Sequence, residues 1–182
     1  MSAAMSVLDV MRESGLRPND RTYNTLIQGW IELKEMDRAM DLFKKMKRNK
    51  RVRPDIVTYN LLMSGWARQM RQMDEAEKVM DDLMNDRNVS PDSRTFDTLI
   101  RGYNFLLRED RNWRVERMYY WLCRMRDMKM KPNQHTAKPF SQMNIYFPSY
   151  DEPFWKNYGM PYDPRRDCCF PRRDRYRSKT CS

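Results

Sequence analysis

The chain has 182 residues, with 35 Lys and Arg against 25 Asp and Glu, giving a formal charge of +10. That surplus favours polyanionic partners, nucleic acid first among them. No run of about 18 apolar residues occurs, which excludes a membrane-spanning helix on length, and 5 Gly beside 17 Met suit packed helices better than tight-turned sheets.

In chain order, the first pattern is Ala4, Val7, Leu8 and Met11, one apolar stripe at helical spacing over about 4–14, followed by Gly15 and Pro18. Next comes RTYNTLIQGW, in which Tyr23, Leu26, Ile27 and Trp30 make a second stripe and predict a helix over 20–32. MDRAMDLFKKM then predicts a helix over 37–49 through Ala39, Leu42, Phe43 and Met46. VTYNLLMSGW and MDEAEKVMDDL repeat the two blocks at 56–69 and 74–87, with Tyr59, Leu62, Met63 and Trp66, then Ala76, Val79, Met80 and Leu83. RTFDTLIRGY opens a third copy at 93–107, and Met118, Trp121, Leu122 and Met125 mark its second helix at 113–129. A further helix is expected at 134–143.

Three positions tie the copies together: Asn24, Asn60 and Asp97 stand 36 and 37 residues apart, and the ten residues around each align without a gap. A fixed period of this size signals stacked helical hairpins, which share one continuous core because no single hairpin can bury its own apolar faces. Each first helix is preceded by proline and then an Asx residue: Pro18-Asn19, Pro54-Asp55, Pro91-Asp92 and Pro132-Asn133. Proline stops the preceding helix, and the Asx side chain can cap the next. Trp30 and Trp66 continue the apolar stripes and belong to the core.

After about residue 137 the repeat stops. Residues 131–182 hold ten Lys and Arg against five Asp and Glu, a net of +5, with six prolines beyond 138 that forbid long helices. Nine aromatics from Tyr146 to Tyr176 mark the segment as one that seeks a surface rather than a plain linker. Arg165, Arg166, Arg172, Arg173, Arg175 and Arg177 are available there to face phosphates.

No catalytic constellation is visible: His135 is the only histidine and follows a cap, and no phosphate-cradling Gly-Lys-Ser/Thr loop exists. Cys123, Cys168, Cys169 and Cys181 lack the paired spacing of a zinc site. Cys123 falls in a helical pattern and reads as a small buried thiol. The expectation is therefore no metal, no cofactor, no small-molecule substrate, no membrane and no enzyme.

TYNTLIQGW, then A-x-x-L-F-x-x-M, then R-P-D resembles the pentatricopeptide repeat family over about residues 4–136. The resemblance implies an all-α, right-handed α-solenoid of antiparallel helix pairs. It divides the chain into an array over 1–137 (a half repeat 1–19, repeats 20–55, 56–92 and 93–133, and the start of a further helix at 134–143) and an irregular, Pro-, aromatic- and Arg-rich tail over 138–182. It further implies that first helices line a concave surface for single-stranded RNA, one base per repeat. The readers would be Asn24 with Asp55 and Asn60 with Asp92, both similar to the family's uracil readers, and Asp97 with Asn133, a combination with no assigned base. Val57 stands where the family packs a small aliphatic side chain on the base; Arg21 and Arg94 stand there instead in the other copies, able to stack or hold phosphate.

The function this implies is RNA binding, as an architectural subunit among the rRNA and neighbouring proteins of an organellar ribonucleoprotein such as the mitochondrial ribosome. The alternatives are a free-standing organellar factor acting on transcript stability, processing or translation, and a protein scaffold. Family resemblance places the chain in the mitochondrion, or alternatively in a plastid.

Overall fold

A computed structural model describes residues 8–11, 13–49, 51–106 and 110–145. The chain divides into two units, Met1–Phe147 and Pro148–Ser182; the second lies outside the described residues, and with it all six arginines of the tail.

Residues 8–11 are helical, and seven further elements follow: α1 (Asp20–Glu32), α2 (Met36–Arg48), α3 (Ile56–Ser64) continuing as a wider π-helical segment (Gly65–Met70), α4 (Met73–Met84), α5 (Ser93–Asn104), α6 (Arg111–Asp127) and α7 (Gln134–Gln142). They pair in sequence as α1 with α2, α3 with α4 and α5 with α6, while α1, α3, α5 and α7 pack successively on one another as a layer of first helices. This is the stacked helical-repeat architecture that the period implies.

The first helices start alike because the sequence before them is alike. At Asn19, Asp55, Asp92 and Asn133 the cap side chain accepts from the backbone of the third helical residue, Thr22, Thr58, Thr95 or Thr136, and the threonine returns the bond to the cap's backbone. This reciprocal box satisfies two amides that the helix start would leave open. Three helix ends, those of α1, α6 and α7, are also alike. Lys34, Lys129 and Asn144 take positive φ of 61°, 59° and 52°, and the next amide reaches back six residues inclusive, as in Glu35 N to Trp30 O at 2.9 Å and Met130 N to Met125 O at 3.1 Å. These are Schellman stops built without glycine.

The π-helical segment has a cause in the numbering. Trp30 precedes Met36 by six residues, whereas Trp66 precedes its counterpart Met73 by seven. The added residue is absorbed by widening the last turn of α3, so that Gln72 N bonds to Trp66 O at 2.9 Å with Arg71 at φ 54°. A one-residue insertion kept inside a helix produces this bulge.

The core is the apolar stripe of each helix. Ile27, Ala39, Met46, Tyr59, Leu62, Met63, Ala76, Met80, Leu83, Phe96, Leu99, Ile100 and Met125 are fully shielded, and Trp30 and Trp66 are buried as expected. Gly65 and Gly102 let adjacent repeats close on one another. A Cβ on Gly65 would sit 2.9 Å from Met36 Sδ and 3.0 Å from Ile31 Cγ2; on Gly102 it would meet Met73 Sδ at 2.5 Å and Ala67 Cβ at 2.9 Å. A side chain at either position would wedge the stack apart.

One buried polar cluster joins the second and third hairpins. Glu77 on α4 accepts at a single oxygen, Oε1, from Tyr103 Oη on α5, Arg117 Nη2 on α6 and, at 2.9 Å, Trp121 Nε1. Arg117 Nε also donates to Tyr103 Oη at 3.3 Å. The charges are paired and hydrogen-bonded, which is the condition for burying them. Burial beside Glu77 pushes the Tyr103 phenol well above its usual range.

Candidate nucleic-acid interface

The fifth residue of each first helix meets the cap of the next one. Asn24 Nδ2 donates to Asp55 Oδ1 at 3.3 Å, Asn60 Nδ2 to Asp92 Oδ1 at 3.3 Å, and Asn133 Nδ2 to Asp97 Oδ2 at 3.1 Å. In the third pair the amide and the carboxylate have changed places, so every pair keeps one amide and one carboxylate. Complementarity survives the exchange because the amide donates and the carboxylate accepts from whichever of the two positions each occupies.

The capping threonine closes two of the sites. Thr58 Oγ1 lies 2.7 Å from Asn24 Oδ1, and Thr136 Oγ1 donates to Asp97 Oδ1 at 2.6 Å. At the middle site Thr95 Oγ1 turns to Asp92 Oδ1 at 2.9 Å, and Asn60 Oδ1 is buried without a hydrogen-bond partner. Asn24, Asp55, Asn60 and Asp92 are half-buried and Asn133 is exposed, but Asp97 is buried at 6% exposure. The third pair thus shows solvent its amide side and hides its carboxylate.

Burial works to raise the Asp55 carboxyl, but hydrogen bonds from the Thr58 amide and hydroxyl and from Asn24 outweigh it and hold the group below its ordinary range. Asp55 is an ionised acceptor at neutral pH.

Arg21, Val57 and Arg94 occupy the same place in α1, α3 and α5, three residues before Asn24, Asn60 and Asp97, and so share a helical face with them. All three are exposed, and Val57, apolar yet 50% exposed, is the one that core packing does not account for. The structure therefore brings together each expected reader pair and sets the neighbouring position in solvent.

Sequence reasoning missed the Glu77 cluster and the direct bond within each pair. His135 is exposed just after its cap. Cys123 is half-buried and burial pushes its thiol up to about 11, a weakly reactive state. Among the described residues no group of three or more His, Cys, Asp or Glu is placed to hold a metal ion, and no helix is long and apolar enough to cross a membrane.

The family model described as the PPR repeat family matches residues 21–68 and 54–104. No curated protein matches the sequence. Among solved structures, the pentatricopeptide repeat protein PPR10 in complex with an 18-nt psaJ RNA element matches with a TM-score of 0.64 at 23% identity, over 78% of this chain and 20% of that one. The pentatricopeptide repeat protein PPR10 from maize matches with a TM-score of 0.62 at 23% identity, over 77% of this chain and 19% of that one. The chain spans about a fifth of the length of these structures, and the likeness is one of fold. The two overlapping matches cover residues 21–104, so the strongest copies are similar to the pentatricopeptide repeat family, and the chain shares a fold with PPR10.

Proposed function

We propose that the array binds single-stranded RNA along its layer of first helices, as an architectural subunit of an organellar ribonucleoprotein, the mitochondrial ribosome foremost. The observation that carries this reading is the recurrence of one amide–carboxylate pair in three successive repeats, each joining a first helix to the cap of the next. Caps alone would need only the Asx residue and its threonine; the partner at the fifth helical position is an addition that three copies keep.

Asn24 with Asp55 and Asn60 with Asp92 are the proposed base readers, each combining an amide donor with a carboxylate acceptor and matching a base edge that offers both, as uracil does. Asp97 with Asn133 is the third reader and presents its amide. Arg21, Val57 and Arg94 cover the base faces, and the tail arginines Arg165, Arg166, Arg172, Arg173, Arg175 and Arg177 add phosphate contacts. PPR10, which shares the fold, is itself complexed with RNA.

The architectural role follows from magnitude. Three bases read at about 1–3 kcal/mol each give too little discrimination to select one transcript among many, while a subunit wedged among rRNA and proteins needs no such address. Cross-linking in cells with identification of the bound RNA, joined to sedimentation at moderate salt, tests both parts. The proposal expects rRNA cross-links and cosedimentation with ribosomal particles. Cross-links to a messenger in a light fraction would favour the free-standing factor, and no RNA cross-link at all would leave a protein scaffold.

A further inference from the structure

The second helices of the first two complete repeats align without a gap from Met36–Asp55 to Met73–Asp92, yet their surface charge is inverted. Seven basic residues stand at 44, 45, 47, 48, 50, 51 and 53; the aligned positions in the next repeat are Asp81, Asp82, Met84, Asn85, Arg87, Asn88 and Ser90. Apolar positions are kept across the same stretch, so the difference is confined to the surface.

Ordinary causes explain part of this ribbon. Lys47 bridges to Asp82 of the next repeat at 3.2 Å, and Lys44 pairs with Asp41 at 3.9 Å. Cations in the last turn of α2 also meet the negative end of its dipole. Neither cause reaches Arg51 and Arg53, which lie beyond the end of α2 at Arg48. Arg48, Arg51 and Arg53 are exposed, and among the described residues none of their guanidinium groups is in an ion pair.

The ribbon also has a shape. A surface cavity of about 190 Å³ is lined by Lys47, Arg48, Asn49 and Arg53 and, from the next linker, by Asp86 and Asn88. Its one carboxylate is engaged: Asp86 accepts from Tyr59 Oη at 3.0 Å and from the backbone and side chain of Asn88 at 2.9 and 3.2 Å. With Lys47 paired to Asp82, Arg48 and Arg53 against the one carboxylate leave the cavity with one positive charge in excess. Arg53 stands two residues before Asp55, at the edge of the array where the Asn24–Asp55 pair sits.

We infer that Arg48, Arg51 and Arg53, with Lys47, form a phosphodiester-binding rim that holds the RNA backbone beside the first base-reading pair without regard to sequence. The inference rests on the RNA reading above. It divides the labour between pairs that distinguish bases and a rim that supplies charge. It also assigns that charge to one repeat boundary, since the next carries aspartates.

The test measures the affinity of the full chain for a short labelled single-stranded RNA as a function of salt, with and without uridines in the sequence. The triple variant Arg48→Gln, Arg51→Gln, Arg53→Gln is compared with Lys34→Gln, Arg68→Gln, Arg71→Gln, which removes the same charge from exposed positions by the hairpin turns. The rim variant is expected to lose about 2 from the slope of log affinity against log salt, at about 0.7 per phosphate, so that its loss over a fourfold rise in salt is roughly 15- to 20-fold smaller. Uridine preference stays, and the control keeps the wild-type slope. Equal slope losses in both variants would overturn the rim in favour of diffuse charge. An unchanged rim slope with intact RNA binding would overturn it in favour of an acidic protein neighbour. If the wild-type chain binds no RNA, the functional proposal and the rim fall together. Helical circular dichroism confirms that these surface variants fold.

Discussion

Asn24 and Asp55, 31 residues apart in sequence, are joined by a side-chain bond of 3.3 Å that ties one first helix to the cap of the next. The same two positions in the third repeat hold Asp97 and Asn133, with the chemistry exchanged and the bond preserved at 3.1 Å. The pair is therefore defined by complementarity and not by which residue stands where. Asn24→Asp alone would set two carboxylates together and is expected to destabilise the array by about 1 kcal/mol, by the scale of like-charge pairs and lost hydrogen bonds. Adding Asp55→Asn recreates the exchanged arrangement and recovers most of that loss. Urea unfolding of the two singles and the double reads the coupling directly; a double variant no better than the sum of the singles would show that the bond is incidental.

Acid weakens the same junction. Hydrogen bonds hold the Asp55 carboxyl below its ordinary range despite its burial, and bonds from Asn88, ahead of burial in weight, do so for Asp86. The folded state then binds fewer protons than the unfolded chain as the pH approaches the carboxylate range, so stability rises with pH there. This contribution is fully present above the unfolded value and is lost as the pH falls through the folded one. Asp55→Asn keeps the cap acceptor while removing the titration. Its stability profile between neutral pH and about pH 3 is expected to be flatter than wild type; a profile as steep as wild type would mean that other carboxylates dominate.

The three repeated glycines are not equivalent. A Cβ at Gly102 meets Met73 Sδ at 2.5 Å and Ala67 Cβ at 2.9 Å, whereas one at Gly29 meets nothing within 4 Å. Gly102→Ala is expected to destabilise by about 1–3 kcal/mol through overpacking. Gly29→Ala is expected to stabilise by about 0.5–1 kcal/mol, the usual gain of alanine over glycine inside a helix. Thermal unfolding of both variants is the check, and equal effects would contradict the packing described.

Glu77 is the acceptor for three donors in the buried cluster. Glu77→Ala strands the Arg117 guanidinium and is expected to cost about 3–5 kcal/mol, while Glu77→Ala with Arg117→Met removes both charges and costs clearly less. A solenoid concentrates such losses at one interface, so hydrogen exchange should show α5 and α6 opening before α1 and α2. Uniform opening would argue that the cluster is not a joint between hairpins.

Much of this was readable from spacing alone. α1 occupies Asp20–Glu32, the span its stripe predicts, and all four Asx caps form, because caps and stripes are local rules. Three features were not readable. The widened turn at Gly65–Met70 depends on where the chain absorbs one added residue, which the period reveals only as 37 in place of 36. Glu77 bonds to a partner 40 residues away and sits where the previous repeat has Met40, so nothing local marks it. The burial of Asp97 reflects tertiary packing around the third repeat and not its position in the motif. The phosphate residues expected in the tail lie outside the described residues.

The central claim, that Asn24 and Asn60 face RNA bases with their partners Asp55 and Asp92, is tested most directly by equilibrium binding of the chain and its Asn24→Ala, Asn60→Ala variant to uridine-containing single-stranded RNA. The account predicts salt-sensitive binding by the wild-type chain and a loss of about 1–3 kcal/mol per altered pair in the variant, with cytidine substitution of the RNA affecting wild type more than variant. Binding of equal strength by both proteins to every sequence, or no salt-sensitive binding to any, would contradict it.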